Sequence, residues 1–346
     1  MKQLLFIPLV LWLLFMTGCD GGDTYNTDFY VGSDGLVMEY YLEAPPETVY
    51  EKTDFPVKVT VSNKGATDVR KDDSSSEDNR GLLMLTYDPT YLKPIGNWVT
   101  PGTLIINDPH GQPIINLHGK SIYWPLGNEM LYDVVEFTVK ELPGKISAPT
   151  TDVLATACYP YKTLYSKVIC LDMNIYSRDV RSQACLGEEE YRSSNQGAPI
   201  AVKSVQPIFL PVDEAHMKPR FNILIENVGD GYVLDLNKIM DPDKFGNFPN
   251  LKPWEELRER CTGQAVQPKS DSYQEKHMKI NAWITADKIP LECMPLDIRL
   301  IQNEVSIMCQ TVGDIPIRPN YMTPLTIELE YIYTHSVSQT IQIYRQ

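Results

Sequence analysis

Two stretches of the chain, 164 residues apart, are built to one plan. In residues 57–69, Val57, Val59 and Val61 alternate with Lys58, Thr60 and Ser62, and Asn63-Lys64-Gly65 follows. In residues 221–233, Phe221, Ile223 and Ile225 alternate with Asn222, Leu224 and Glu226, and Asn227-Val228-Gly229 follows. Val69 and Val233 close the two stretches. Period-two alternation places one set of side chains on a single face, the mark of a half-buried strand, and Asn-x-Gly marks a turn. The interval is too wide for a solenoid, whose units recur every 20–50 residues or so. It fits two related β-sandwich domains. The chain is therefore expected to be all-β, with tandem sandwiches at residues 36–191 and 200–346 and a polar linker at 192–199.

The composition agrees. Twenty-six Pro, 20 Gly and 20 Tyr among 346 residues favour many short strands joined by turns, and 43% hydrophobic residues suffice for a core. Further strands are expected at Leu82–Tyr87, Ile122–Trp124, Val134–Val139 and Val153–Tyr159, and in the second half up to the alternating run Ile327, Leu329, Tyr331. One short helix is expected in the second domain. Pro253 suits its first position, Glu255 and Glu256 its first turn, and Arg258 and Arg260 its last. Trp254, Leu257 and Cys261 would share the face that packs on the sandwich.

The N-terminus reads as an export signal over residues 1–18. Lys2 precedes an apolar run from Leu4 to Met16, about 20 Å long as a helix and short of the roughly 30 Å hydrocarbon core. Met16-Thr17-Gly18-Cys19 resembles the lipobox of secreted lipoproteins, with Met16 where that pattern usually has Leu or Val. The resemblance implies cleavage before Cys19 and acylation of its thiol. Residues 19–35, with Asp20-Gly21-Gly22-Asp23 near their start, would then tether the first domain to the membrane.

Export leaves six cysteines for an oxidising compartment: Cys158, Cys170, Cys185, Cys261, Cys293 and Cys309. Tyr159–Val168 reads as a hairpin with Cys158 and Cys170 on its arms, so these two are expected to pair. Cys293 and Cys309 flank a strand–turn–strand around Gln302-Asn303-Glu304 and are expected to pair as well, which leaves Cys185 for Cys261. No Asn-x-Ser/Thr sequon occurs in the chain.

Several segments resemble a family of uncharacterised archaeal surface lipoproteins: Gly35–Glu39, Cys158–Tyr161 with Val168–Asp172, Gln196–Val202 and Thr323–Leu329. The strand–Asn-x-Gly–strand units are also similar to immunoglobulin-like domains of the cell-adhesion-related type. The resemblance implies two immunoglobulin-like sandwiches on the cell surface. It carries no catalytic residues with it.

The residues themselves suggest no enzyme and no cofactor. The five His (His110, His118, His216, His277 and His335) lack the paired spacing of a zinc site. Asp108, His110 and His118 could converge only through the fold. There is no Gly-x-Ser-x-Gly elbow and no phosphate-cradling loop. Glu188-Glu189-Glu190 reads as a solvated run rather than a glycosidase pair. Carboxylates cluster in the loop 72–78 and at Asp241-Pro242-Asp243 without the rigid spacing of a calcium loop, so no metal is expected. A formal charge of −14 argues against a nucleic-acid partner. The abundant Tyr residues are expected mainly in the core, with those of residues 25–41 the exposed group. The reading that follows is a membrane-anchored, extracytoplasmic adhesion or envelope scaffold acting through contacts with other surface proteins, with a homo-oligomer also open. One rival is a filament or surface-layer subunit in which residues 24–42 add a strand to a neighbour's sheet. A solute-binding or hydrolytic lipoprotein is another, and an accessory domain of a secretion complex a third.

Overall fold

The computed structural model describes residues 29–71, 79–95, 103–106, 115–142, 144, 148–171, 185–234, 257, 261, 278–284, 289–295, 298–317 and 320–346. The expected signal segment, Cys19, the acidic loop 72–78, Asp108, His110, Asp241–Asp243 and most of the expected helix lie outside these residues.

In chain order the strands are β1 (Leu36–Tyr40), β2 (Thr48–Tyr50), β3 (Asp54–Asn63), β4 (Leu82–Tyr87), β5 (Leu92–Pro94), β6 (Thr103–Ile106), β7 (Glu129–Val139) and β8 (Thr150–Leu171). They continue with β9 (Tyr191–Arg192), β10 (Ile200–Pro211), β11 (His216–Asn227), β12 (Tyr232–Leu234), β13 (Lys279–Ile284), β14 (Ile289–Met294), β15 (Glu304–Thr311), β16 (Ile315–Pro316) and β17 (Tyr321–Tyr344). The all-β sandwich expected from the sequence is the fold observed.

The strands form two sheets. The smaller has the order β1-β3-β7-β5. The larger runs β6-β4-β8-β17-β13-β14-β15-β11-β10-β9, with β2 and β12 also on β17 and β16 on β11. Its spine is the antiparallel pair of β8 and β17, in register from Leu171↔Tyr321 to Thr150↔Gln342. Strict alternation explains the pair. Val153, Ala155, Ala157, Tyr159, Tyr161, Tyr165 and Ile169 are buried on one face of β8, and Leu325, Ile327, Leu329, Tyr331, Tyr333, Ile341 and Ile343 on the same face of β17. One continuous core draws on both halves of the sequence, from Leu36 to Ile343.

The two repeated stretches occupy equivalent places. Leu36 pairs with Asn63 at the start of the β1–β3 ladder, and Ile200 pairs with Asn227 at the start of the β10–β11 ladder. Both Asn side chains close the same turn. Asn63 Oδ1 accepts from Gly65 N at 3.2 Å and its Nδ2 donates to Thr67 O at 2.9 Å. Asn227 Oδ1 accepts from Gly229 N at 3.3 Å and its Nδ2 donates to Gly231 O at 2.8 Å. Asn can do this because its short amide carries a donor and an acceptor that mimic the backbone.

Each turn then seats on tyrosines of the spine. Tyr161 Oη accepts from Thr67 N at 3.3 Å, and Tyr333 Oη from Gly231 N at 2.7 Å. Tyr159 Oη accepts from Leu36 N at 3.0 Å, and Tyr331 Oη from Ile200 N at 3.3 Å. Glycine is required after each Asn because a Cβ on Gly65 would collide with Tyr161 Oη, and one on Gly229 would meet Tyr333 Oη at 2.6 Å. In the β8–β17 ladder Tyr159 pairs with Tyr333, Pro160 with Ile332 and Tyr161 with Tyr331. The two motifs are thus related by a local pseudo-two-fold axis through the Pro160–Ile332 pair. Four tyrosine rings surround it, with neighbouring centroids 5.7 to 6.3 Å apart. Burial raises the phenol pKa of all four, that of Tyr333 to about 12.

Residues 192–199 lie between these halves and are held by both. Gly197 N donates to Gly32 O at 2.8 Å, and its carbonyl accepts from Ala66 N at 2.8 Å and Tyr161 Oη at 3.1 Å. Gln196 Oε1 accepts from Val202 N at 2.8 Å. Ala198 is fully buried. The last residues of the expected tether are held too, since Lys120 Nζ donates to Val31 O at 3.3 Å.

The disulfides depart from expectation in two of three cases. Cys158 bonds Cys261 and Cys170 bonds Cys185, while Cys293 bonds Cys309 as expected. Tyr159–Val168 is no hairpin. It is the middle of β8, so Cys158 and Cys170 stand 12 positions apart on one extended strand, roughly 40 Å at about 3.3 Å per residue. The third pair holds because Cys293 and Cys309 face each other across β14 and β15. Their connection ends in a two-residue turn at Gln302 and Asn303, both at positive φ. Of the expected helix only Leu257 and Cys261 are described. Leu257 packs with Leu82, Met84, Cys158 and Ile332 on the outer face of the spine, and Cys261 lies against them.

Candidate interaction surface

Ile122–Trp124, expected as a strand, is the tip of a loop between Leu117 and β7. Pro125 and Gly127 follow at once, and the apolar residues run consecutively rather than alternating. The loop is tied at its base. Gly119 N donates to Asp68 Oδ1 at 2.8 Å, Lys120 N to Gly65 O at 2.7 Å, and Asn128 N to His118 O at 3.0 Å. It is tied again at its neck, where Ser121 and Trp124 exchange backbone hydrogen bonds of 2.9 and 3.1 Å and Gly127 N reaches Trp124 O at 3.0 Å. The Trp124 ring stacks on His118 with centroids 5.1 Å apart, and His118 Nδ1 lies 3.5 Å from Asp68 Oδ2.

This frame leaves the tip bare. Ile122 is 75% exposed, Tyr123 89%, Leu126 80% and Trp124 40%. Scattered apolar residues on a surface are ordinary, but a braced turn that presents four of them together is a candidate contact site. Neither Ser121 nor any residue on to Asn128 carries a charge. A second exposed pair, Tyr41 at 52% and Leu42 at 83%, sits at the far end of β1. It borders an open hollow of about 360 Å³ lined by Glu39, Lys64 and Glu129 among others. Another hollow of about 400 Å³ lies between the ends of β4 and β8.

The expected chemistry-bearing residues do not converge in the described part of the molecule. His216 Nδ1 is 3.0 Å from the Asp213 carboxylate on an exposed turn. His335 is half-buried and its Nε2 has no hydrogen-bond partner among the described residues. Burial lowers its pKa, against the pull of Asp230 and Asp34. Glu190 binds Arg192 Nε at 2.8 Å, and that hydrogen bond lowers its pKa on an exposed edge. Among the described residues no group of three or more His, Cys, Asp or Glu is placed to hold a metal ion. His277 lies outside them.

The tyrosines divide as expected in part. Tyr159, Tyr161, Tyr331 and Tyr333 are core, and Tyr30 (48% exposed) and Tyr41 reach solvent. Tyr40 is half-buried, with its hydroxyl donating to Val153 O at 2.7 Å. The strand β1 pairs with β3 of its own sheet and, among the described residues, has no strand on its other edge, where Leu36 N donates to Tyr159 Oη. Sequence reasoning missed the loop tip, although the unbroken run Ile-Tyr-Trp-Pro-Leu was there to find. The chain matches no protein-family model and no curated protein.

Proposed function

We propose that the protein is exported, held at the membrane by lipid on Cys19, and acts without catalysis as an adhesion or envelope scaffold through contacts with other surface proteins. The observation that carries this reading is the pairing of all six remaining cysteines in three disulfides. Disulfides form and persist in oxidising compartments. Here they brace a rigid body rather than a mobile site: one ties the outer face of the spine, one the end of β8, and one two neighbouring strands. The lipobox-like Met16–Cys19 supports the anchor, and two acyl chains are needed for stable attachment because one binds only marginally. The likeness to archaeal surface lipoproteins belongs to the same proposal.

The test is purification from native membranes with mass spectrometry of the Cys19 peptide and of the disulfide-linked peptides. The expected result is an acylated N-terminal Cys19, the three observed linkages and a stoichiometric protein partner. An unmodified Cys19 with free thiols throughout would overturn the reading.

A further inference from the structure

We infer that the loop tip Ile122–Leu126 dips into the interfacial region of the bilayer beside the lipid anchor, as a second point of membrane attachment. The inference rests on the proposed acylation of Cys19 and adds to it. Phe29 stands ten positions after Cys19, so the first described residue lies at most about 35 Å from the anchored Cys. From there the chain runs directly to the base of the loop, where Lys120 Nζ holds Val31 O at 3.3 Å. An anchor at Cys19 therefore keeps this side of the molecule within reach of the membrane.

The chemistry of the tip suits lipid. Tyr and Trp with Ile and Leu is the mixture that settles at membrane interfaces, where amphipathic rings sit at headgroup level and aliphatic groups reach below. No charge needs to be desolvated between Ser121 and Asn128, and the hydrogen bonds between Ser121 and Trp124 and from Gly127 satisfy part of the tip backbone internally. The brace on Asp68, Gly65 and His118 means that little ordering cost falls on binding. With a net charge of −14, the attachment is apolar rather than electrostatic, so zwitterionic lipid suffices.

The experiment is co-sedimentation of the polypeptide Asp20–Gln346, made without its lipid, with an excess of phosphatidylcholine vesicles. This polypeptide contains every described residue and all three disulfides. The expected result is measurable binding that changes little over about a tenfold rise in salt. The triple variant Ile122→Ser/Tyr123→Ser/Leu126→Ser should weaken it about tenfold or more. Leu42→Ser, equally exposed at the far end of β1, should leave it unchanged. Absence of binding by the unaltered chain, or equal binding by the triple variant, would overturn the inference. So would an equal loss in Leu42→Ser. If the triple variant keeps vesicle binding but loses a protein that co-purifies from native membranes, the tip docks protein and the lipid assignment falls. Mass spectrometry of Cys19 stands apart: an acylated Cys19 with a non-binding tip sinks this inference alone, and an unmodified Cys19 sinks the anchor.

Discussion

At the scale of single residues, the fold turns on four phenol hydroxyls and two asparagines. Tyr333 Oη accepts from Gly231 N and donates to Asn227 Oδ1 at 3.1 Å, so one atom joins the spine to a turn. Tyr161 Oη stands in the same relation to Thr67 N and Gly197 O. Replacement by Phe keeps each ring in place but strands a backbone N–H in the interior. Tyr161→Phe and Tyr333→Phe should each lower stability by about 1–3 kcal/mol in urea unfolding. The two asparagines could be found from the sequence because their partners are local, two and four residues on. Their tyrosine partners could not, because a hydroxyl about 100 residues away leaves no mark in the spacing.

At the scale of elements, β8 shows why the disulfide expectation failed. Lys162 and Ser166 with Pro160 look like a loop, yet these three fall on one face and Tyr159, Tyr161 and Tyr165 on the other, where Lys167 is half-buried. Pro160 is tolerated because β4 begins at Leu82, opposite Cys158, and so does not reach it. The alternation of Tyr159, Tyr161 and Tyr165 is legible in the sequence and marks a continuous strand. The resulting linkages differ in reach: Cys158–Cys261 spans 103 residues and Cys170–Cys185 spans 15. In the chain-entropy account these constrain the unfolded chain by about 4.7 and about 3 kcal/mol. Replacing Cys158 and Cys261 together by Ala should therefore lower the melting temperature more than replacing Cys170 and Cys185, as differential scanning calorimetry would show. The loop at Ile122–Trp124 was misread for the opposite reason. Its β-favouring residues lack alternation, and Pro125 and Gly127 decide against a strand.

At the scale of the whole molecule, the repeat revealed two related halves, but not that they share a sheet. Pairing between β8 and β17 is a long-range event that period-two patterning leaves open. Because the ladder runs the full length of β8 and the core is continuous through it, the halves should melt together. Val59→Ala in one half and Phe221→Ala in the other, both at fully buried positions, should each shift a single calorimetric transition downward rather than split it. Phe221→Ala should cost about 3–5 kcal/mol. The pseudo-two-fold axis at Pro160 and Ile332 carries a consequence of its own. A single polypeptide here reproduces the self-complementary contact by which two identical subunits form an isologous dimer. Gly65 and Gly229 then face the same steric demand, each against a tyrosine hydroxyl of the spine, so the tolerance of Gly65 to substitution forecasts that of Gly229, as a saturation scan of the two positions would show.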